Sequence, residues 1–85
     1  MGLFYAMVTI YREQGLRVVI FTNDHVPAHV HLFGSGQVKI NLTGPDGRPE
    51  LVWAEGMKQS DVRRAMKLVA RRQEDFLERW KEIHG

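Results

Sequence analysis

The sequence predicts an α+β domain: an antiparallel meander of four to five strands, packed by one face on one long C-terminal helix, straight or kinked. Two observations carry this. Before Gly56 the chain is a series of short runs rich in β-branched and aromatic residues, separated by turn residues. After Gly56, apolar residues recur at helical spacing. A third observation, the short Gly34-Ser35-Gly36 connection, fixes how two of the strands pair.

The first run, Met7–Arg12, stops at a Glu13-Gln14-Gly15 turn, and Leu16–Thr22 is the strongest strand of the set. Its core face is expected to be Leu16, Val18 and Ile20. Arg17 is left either on the opposite face or in the core. Asn23-Asp24-His25-Val26-Pro27-Ala28 then breaks the pattern, because Asn and Asp bond their own backbone and Pro27 holds Val26 extended. His29–Phe33 and Gln37–Thr43 flank the glycine turn. Gly44-Pro45-Asp46-Gly47 is a second turn, and Glu50–Ala54 a last strand.

The helix is expected over residues 60–84, with Ser60 as N-cap and Asp61 in the first turn, where the helix dipole favours negative charge. Val62, Ala65, Met66, Val69, Phe76, Leu77, Trp80 and Ile83 form its apolar stripe. Phe76 and Trp80 are read as core, and Gln73 interrupts the stripe at the place where a kink would fall. The chain has no repeat, low-complexity tract or linker, so residues 1–85 read as one domain: an extension over 1–6, a sheet over 7–54 and the helix. Either Met1 or Met7 fits as the original start.

Composition narrows the chemistry. The 85 residues contain no cysteine, which excludes disulfides, thiolate metal sites and cysteine nucleophiles. A net charge of +2 is too small to announce nucleic-acid binding. No run is apolar enough for a membrane span, and the N-terminus makes a poor signal peptide, so the expected location is cytoplasmic. A chain of this size buries only about 60–65% of its unfolded surface, so a homodimer or other partner is expected.

Histidine is the unusual residue: of four, three fall between His25 and His31. If the hairpin is centred on Ser35, Val30 faces Ile40 and Leu32 faces Val38 on the core side. On the other side His29 faces Asn41, His31 faces Lys39 and Phe33 faces Gln37. A one-residue slip would bury Lys39 and Asn41, so the register is specified. The second face therefore presents His29, His31, Lys39 and Asn41, with Asp24 and His25 on the loop leading in.

Three readings of this patch stay open. As a phosphate site, His29 and His31 would act as base and acid with Lys39 as the cation, cleaving RNA without a cofactor while Asn23, Asp24, His25 and Asn41 bind and position. A neighbouring lysine also keeps a histidine neutral near pH 7. As a divalent transition-metal site, the ligands would be Asp24, His25, His29 and His31, although Lys39 beside a dication is repulsive. As a structural feature, the histidines bond backbone on an exposed face. The helix adds Arg63, Arg64, Lys67, Arg71 and Arg72 without an intervening acid, a pattern that suits RNA phosphates, an acidic partner or plain solvent.

The stretch Asn23-Asp24-His25-Val26-Pro27-Ala28-His29-Val30-His31 resembles the N-D-H-x-P-x-H-x-H signature of a small bacterial family known only as a domain of unknown function, family 4160. The Met-x-Thr-Ile start at Met7–Ile10, the Gly before an Ile/Val-rich strand, the Asn-x-Thr-Gly region ending at Gly44 and a helix ending around Trp80 are similar too. The likeness spans nearly the whole chain from Met7. Ala28 departs from it, since the family often has a second proline there. The resemblance implies a small cytoplasmic component of a two-gene, toxin–antitoxin-like module, with a cognate protein encoded nearby. It raises the standing of the histidine cluster as a site without choosing its chemistry.

Overall fold

The computed structural model describes residues 6–85. Five strands, β1 (Met7–Glu13), β2 (Leu16–Phe21), β3 (His29–Phe33), β4 (Gln37–Asn41) and β5 (Glu50–Glu55), form an antiparallel meander in chain order. Two helices follow, α1 (Gln59–Arg71) and α2 (Gln73–His84). The α+β expectation holds. Apart from Ala6, which exchanges backbone and side-chain bonds with Thr22, the expected N-terminal extension lies outside the described residues.

Turn chemistry sets the meander. Gln14 and Gly15 both take positive φ, 45° and 81°, as a two-residue hairpin turn requires. The β3–β4 register is the one the sequence specifies: His29 opposite Asn41, Val30 opposite Ile40, His31 opposite Lys39, Leu32 opposite Val38 and Phe33 opposite Gln37. Gly47 closes the next turn, its N–H donating to Gly44 O at 3.0 Å. β5 is an edge strand and exposed throughout, with Leu51, Val52 and Trp53 in succession. Glu50 and Glu55 at its ends blunt it against edge-to-edge association.

The core joins Leu16, Val18 and Ile20 of β2, Val30 and Leu32 of β3, and Val38 and Ile40 of β4 to Ala65, Leu68, Val69, Phe76 and Trp80 of the helices. The β2 face expectation is met. Arg17 lies on the other face, opposite Phe33, with its guanidinium 5.2 Å from the Phe33 ring centroid and a hydrogen bond to Thr9.

Two expectations about the helical region need correction. The N-cap position is Lys58, not Ser60, and no side chain caps it; Ser60 lies within the first turn. The single long helix is two, divided at Arg72 (φ −114°, ψ 22°). Positions 72 and 73 continue the core-facing stripe but carry Arg and Gln, whose polar ends need partners. Arg72 finds the Tyr11 ring at 4.2 Å and Asp75 at 2.6 Å. The Gln73 amide donates to the carbonyls of Leu42 and Gly47, at 2.6 and 2.9 Å. Gln73 thereby ties the helix break to the β4–β5 loop. Gln73→Leu leaves both carbonyls without this donor, and a loss of about 1–2 kcal/mol is expected in urea unfolding; an unchanged midpoint would show that the amide anchors nothing.

Two residues of the basic run of α1 find counter-charges within the chain. One guanidinium nitrogen of Arg71, Nη2, donates to both Glu13 carboxylate oxygens at 2.6 and 2.7 Å, and Arg64 reaches Asp61 and the Gln14 carbonyl. The Arg71 hydrogen bond is the main reason the Glu13 carboxyl titrates below its ordinary value. Arg63 and Lys67 are exposed and make no ion pair among the described residues.

A candidate metal centre on the second sheet face

The loop between β2 and β3 is held by its own polar residues. The Asp24 N–H donates to the Phe21 carbonyl at 3.1 Å, and the Phe21 N–H donates back to Asp24 Oδ2 at 3.2 Å. This closed turn aims the Asp24 carboxylate at β3. Pro27 follows a cis peptide bond, and its carbonyl lies 2.9 Å from His29 Nδ1.

That contact assigns the ring. A carbonyl only accepts, so Nδ1 carries a proton and donates. The other nitrogen, Nε2, lies 3.1 Å from Asp24 Oδ2. His29 thus sits between two acceptors. A neutral ring with its proton on Nδ1 would point a lone pair at a carboxylate. The contact is favourable only if Nε2 is also protonated or if a cation lies between Nε2 and the carboxylate.

His31 is two residues along on the same face. The rings of His29 and His31 meet edge-on with centroids 5.3 Å apart. The His31 ring also meets Phe21 at 4.9 Å and Trp53 at 5.9 Å, while His29 packs on Trp80 at 5.2 Å. Both histidines are buried, 4% and 8% exposed, so this part of the face is not the open surface that the structural reading supposed. His31 Nδ1 is buried without a hydrogen-bond partner. Burial pushes the His31 pKa down to about 4, helped by the His29 and Lys39 charges and opposed by Asp24. His31 is therefore a neutral imidazole at neutral pH, with one ring nitrogen able to act as a ligand.

One ligand atom from each of Asp24, His29 and His31 lies within 4.8 Å of the other two. Of the other candidates, Lys39 is half-buried directly opposite His31, with no carboxylate at ion-pair distance among the described residues. Asn41 lies opposite His29, but its amide donates to Glu50 Oε1 at 3.2 Å. Asn23 and His25 are exposed on the loop, and His25 does not join the converging group. Arg63, Arg64, Lys67 and Arg71 lie on α1, where two of them are engaged internally.

Sequence reasoning missed the aromatic walls. Helical spacing places Trp80 in the core alone, yet it also covers His29. Trp53 lies opposite Lys39, but the register shift between Lys39 and Ile40 hides that pairing from simple counting.

Residues 15–81 match the family described as Domain of unknown function (DUF4160). The chain belongs to this family. The matched span contains the loop, both buried histidines, Lys39, Trp53 and Trp80, so every named residue of the site falls within it. No curated protein and no solved structure matches the chain. No helix among the described residues is long and apolar enough to cross a membrane.

Proposed function

We propose that the protein binds a divalent transition metal through Asp24, His29 and His31. One observation carries the reading: His29 presents one nitrogen to a backbone carbonyl and the other to a carboxylate. A histidine whose far N–H is held by a carbonyl is the usual arrangement behind a metal-bound imidazole, because that bond fixes the tautomer and sharpens the lone pair. The buried, partnerless Nδ1 of His31 supports the same reading.

Distances support it too. With bonds of about 2.0–2.2 Å, two ligand atoms on a tetrahedral ion stand roughly 3.3 Å apart. The Asp24–His29 separation is 3.1 Å, and the third ligand atom lies within 4.8 Å of both. Two histidines and one carboxylate leave open positions, the pattern of metals that go on to bind a further molecule. The burial of both imidazoles favours a small enclosed ligand over an RNA strand lying across the sheet.

Untagged protein titrated with Zn(II) or Co(II) is expected to take up about one equivalent. Trp53 and Trp80 both touch the site histidines, so their fluorescence should respond in step. A His29→Ala/His31→Ala double variant should lose affinity by about 100-fold or more, and Asp24→Asn by less. Uptake below about 0.1 equivalent by the wild type, or equal uptake by the double variant, would overturn the proposal.

A further inference from the structure

Lys39 poses a problem for any cation held by Asp24, His29 and His31. It lies directly opposite His31 on the neighbouring strand, where cross-strand Cβ atoms stand about 4.5–5.5 Å apart. It is half-buried. The acids of the adjacent strand do not neutralise it: Glu50 accepts from Asn41, and neither Glu50 nor Glu55 reaches ion-pair distance of Lys39. A dication, one carboxylate and one ammonium would together leave positive charge uncompensated in a site lined by Phe21, Trp53 and Trp80. Uncompensated charge in such surroundings is costly.

Resting on the metal reading above, we propose that the site is completed by a small oxyanion, a carboxylate or phosphate group, that bridges the metal's open position and the Lys39 ammonium. The anion turns the repulsion between lysine and metal into two attractions. The Lys39–oxyanion contact is charge-assisted and short, the strong class of hydrogen bond. Trp53, opposite Lys39 on β5 and partly exposed at 38%, walls the position from the edge of the sheet. The ligand class is thus an anionic head group, and any organic remainder would extend along the Trp53 ring.

The inference has a signed consequence. Anion and metal must strengthen each other's binding by the same factor, since the coupling is reciprocal. Without an anion, Lys39 only repels the metal. Lys39→Met should therefore bind Co(II) as tightly as wild type or more tightly in anion-poor buffer, and should lose the dependence on anion.

The test uses Co(II)-loaded full chain, read by visible absorption, titrated with acetate and with inorganic phosphate. Wild type should show saturable spectral changes. Half-saturation should rise by about tenfold or more in Lys39→Met and Lys39→Gln, and stay within a few-fold in Lys39→Arg. Response to both anions supports the general oxyanion class, and response to phosphate alone narrows it to phosphoryl groups. Equal anion affinity in wild type and both neutral variants, or no anion response in wild type, overturns this inference while the metal site stands. Failure of wild type to bind Co(II) overturns the metal reading and this inference with it.

Discussion

Gly36→Ala should unfold the domain or bring it close to unfolding. Gly36 closes the β3–β4 turn, and the backbone of Glu55 and Gly56 crosses directly over it. A Cβ there would fall on the Glu55 carbonyl oxygen and on the carbonyl carbon and oxygen of Gly56, closer than real Cβ atoms approach anything. These are main-chain atoms, so no rotamer change relieves the clash. The end of β5 would have to part from β4 where Gln37 pairs with Glu55. A cost of about 3 kcal/mol or more is expected, at the upper end for overpacking, against a total stability near the low end of about 5–15 kcal/mol for so small a domain. Gly34→Ala is the matched control two residues away. Its Cβ would meet the Leu16 Cδ2 at 3.1 Å and the Met57 Cε at 3.6 Å, both flexible side-chain ends, with the Gly15 carbonyl at 3.6 Å. It should cost under about 1 kcal/mol. Equal urea midpoints for the two variants would show that the close approach at Gly36 is not enforced.

The same glycine shows where sequence reading stops. Gly34-Ser35-Gly36 is legible as a turn, and with it the whole β3–β4 register, because alternation of Val30, Leu32, Val38 and Ile40 against His29, His31, Lys39 and Asn41 permits one pairing only. What passes over Gly36 is not legible, since it depends on how Gly56 leaves the sheet. The histidine face follows the same division. Side-chain period places His29 and His31 together, but their burial comes from Trp80, Phe21 and Trp53, residues distant in the chain or set by an irregular strand. The charge run on α1 reads equally as a surface for RNA phosphates, for an acidic partner or for solvent. The chain supplies Glu13 from the β1–β2 hairpin, a tertiary contact that no spacing rule on the helix could reveal. Likewise Gln73 signals an interruption, while the carbonyls of Leu42 and Gly47 that use its amide belong to a separate loop.

Metal-free protein should lose stability as pH falls from about 6.5 to about 4, and His31 should account for much of the loss. The His31 pKa is lowered in the folded state from 6.5 to about 4, chiefly by burial. Between these values the unfolded chain binds a proton that the folded chain refuses. Stability therefore rises with pH across the window: the contribution is fully present above the unfolded value and is gone once pH drops below the folded one. At about 1.4 kcal/mol per pKa unit the whole effect is on the order of 3 kcal/mol. Urea unfolding in chelator at a series of pH values should show it as a slope that His31→Phe removes, since phenylalanine keeps a ring against Phe21 and Trp53 but cannot titrate. Identical slopes for the two proteins would assign the acid sensitivity elsewhere. Metal should alter the same measurement in a defined direction. An ion that binds only the folded chain adds about 2.7 kcal/mol when present at 100 times its dissociation constant. Because it occupies the lone pair that acid would otherwise claim on His31, the stabilisation should fade as His31 takes up its proton. His31→Phe should show neither the slope nor the full metal gain. A variant that lost the slope but kept the whole metal gain would leave His31 a buried structural ring and remove it from the ligand set.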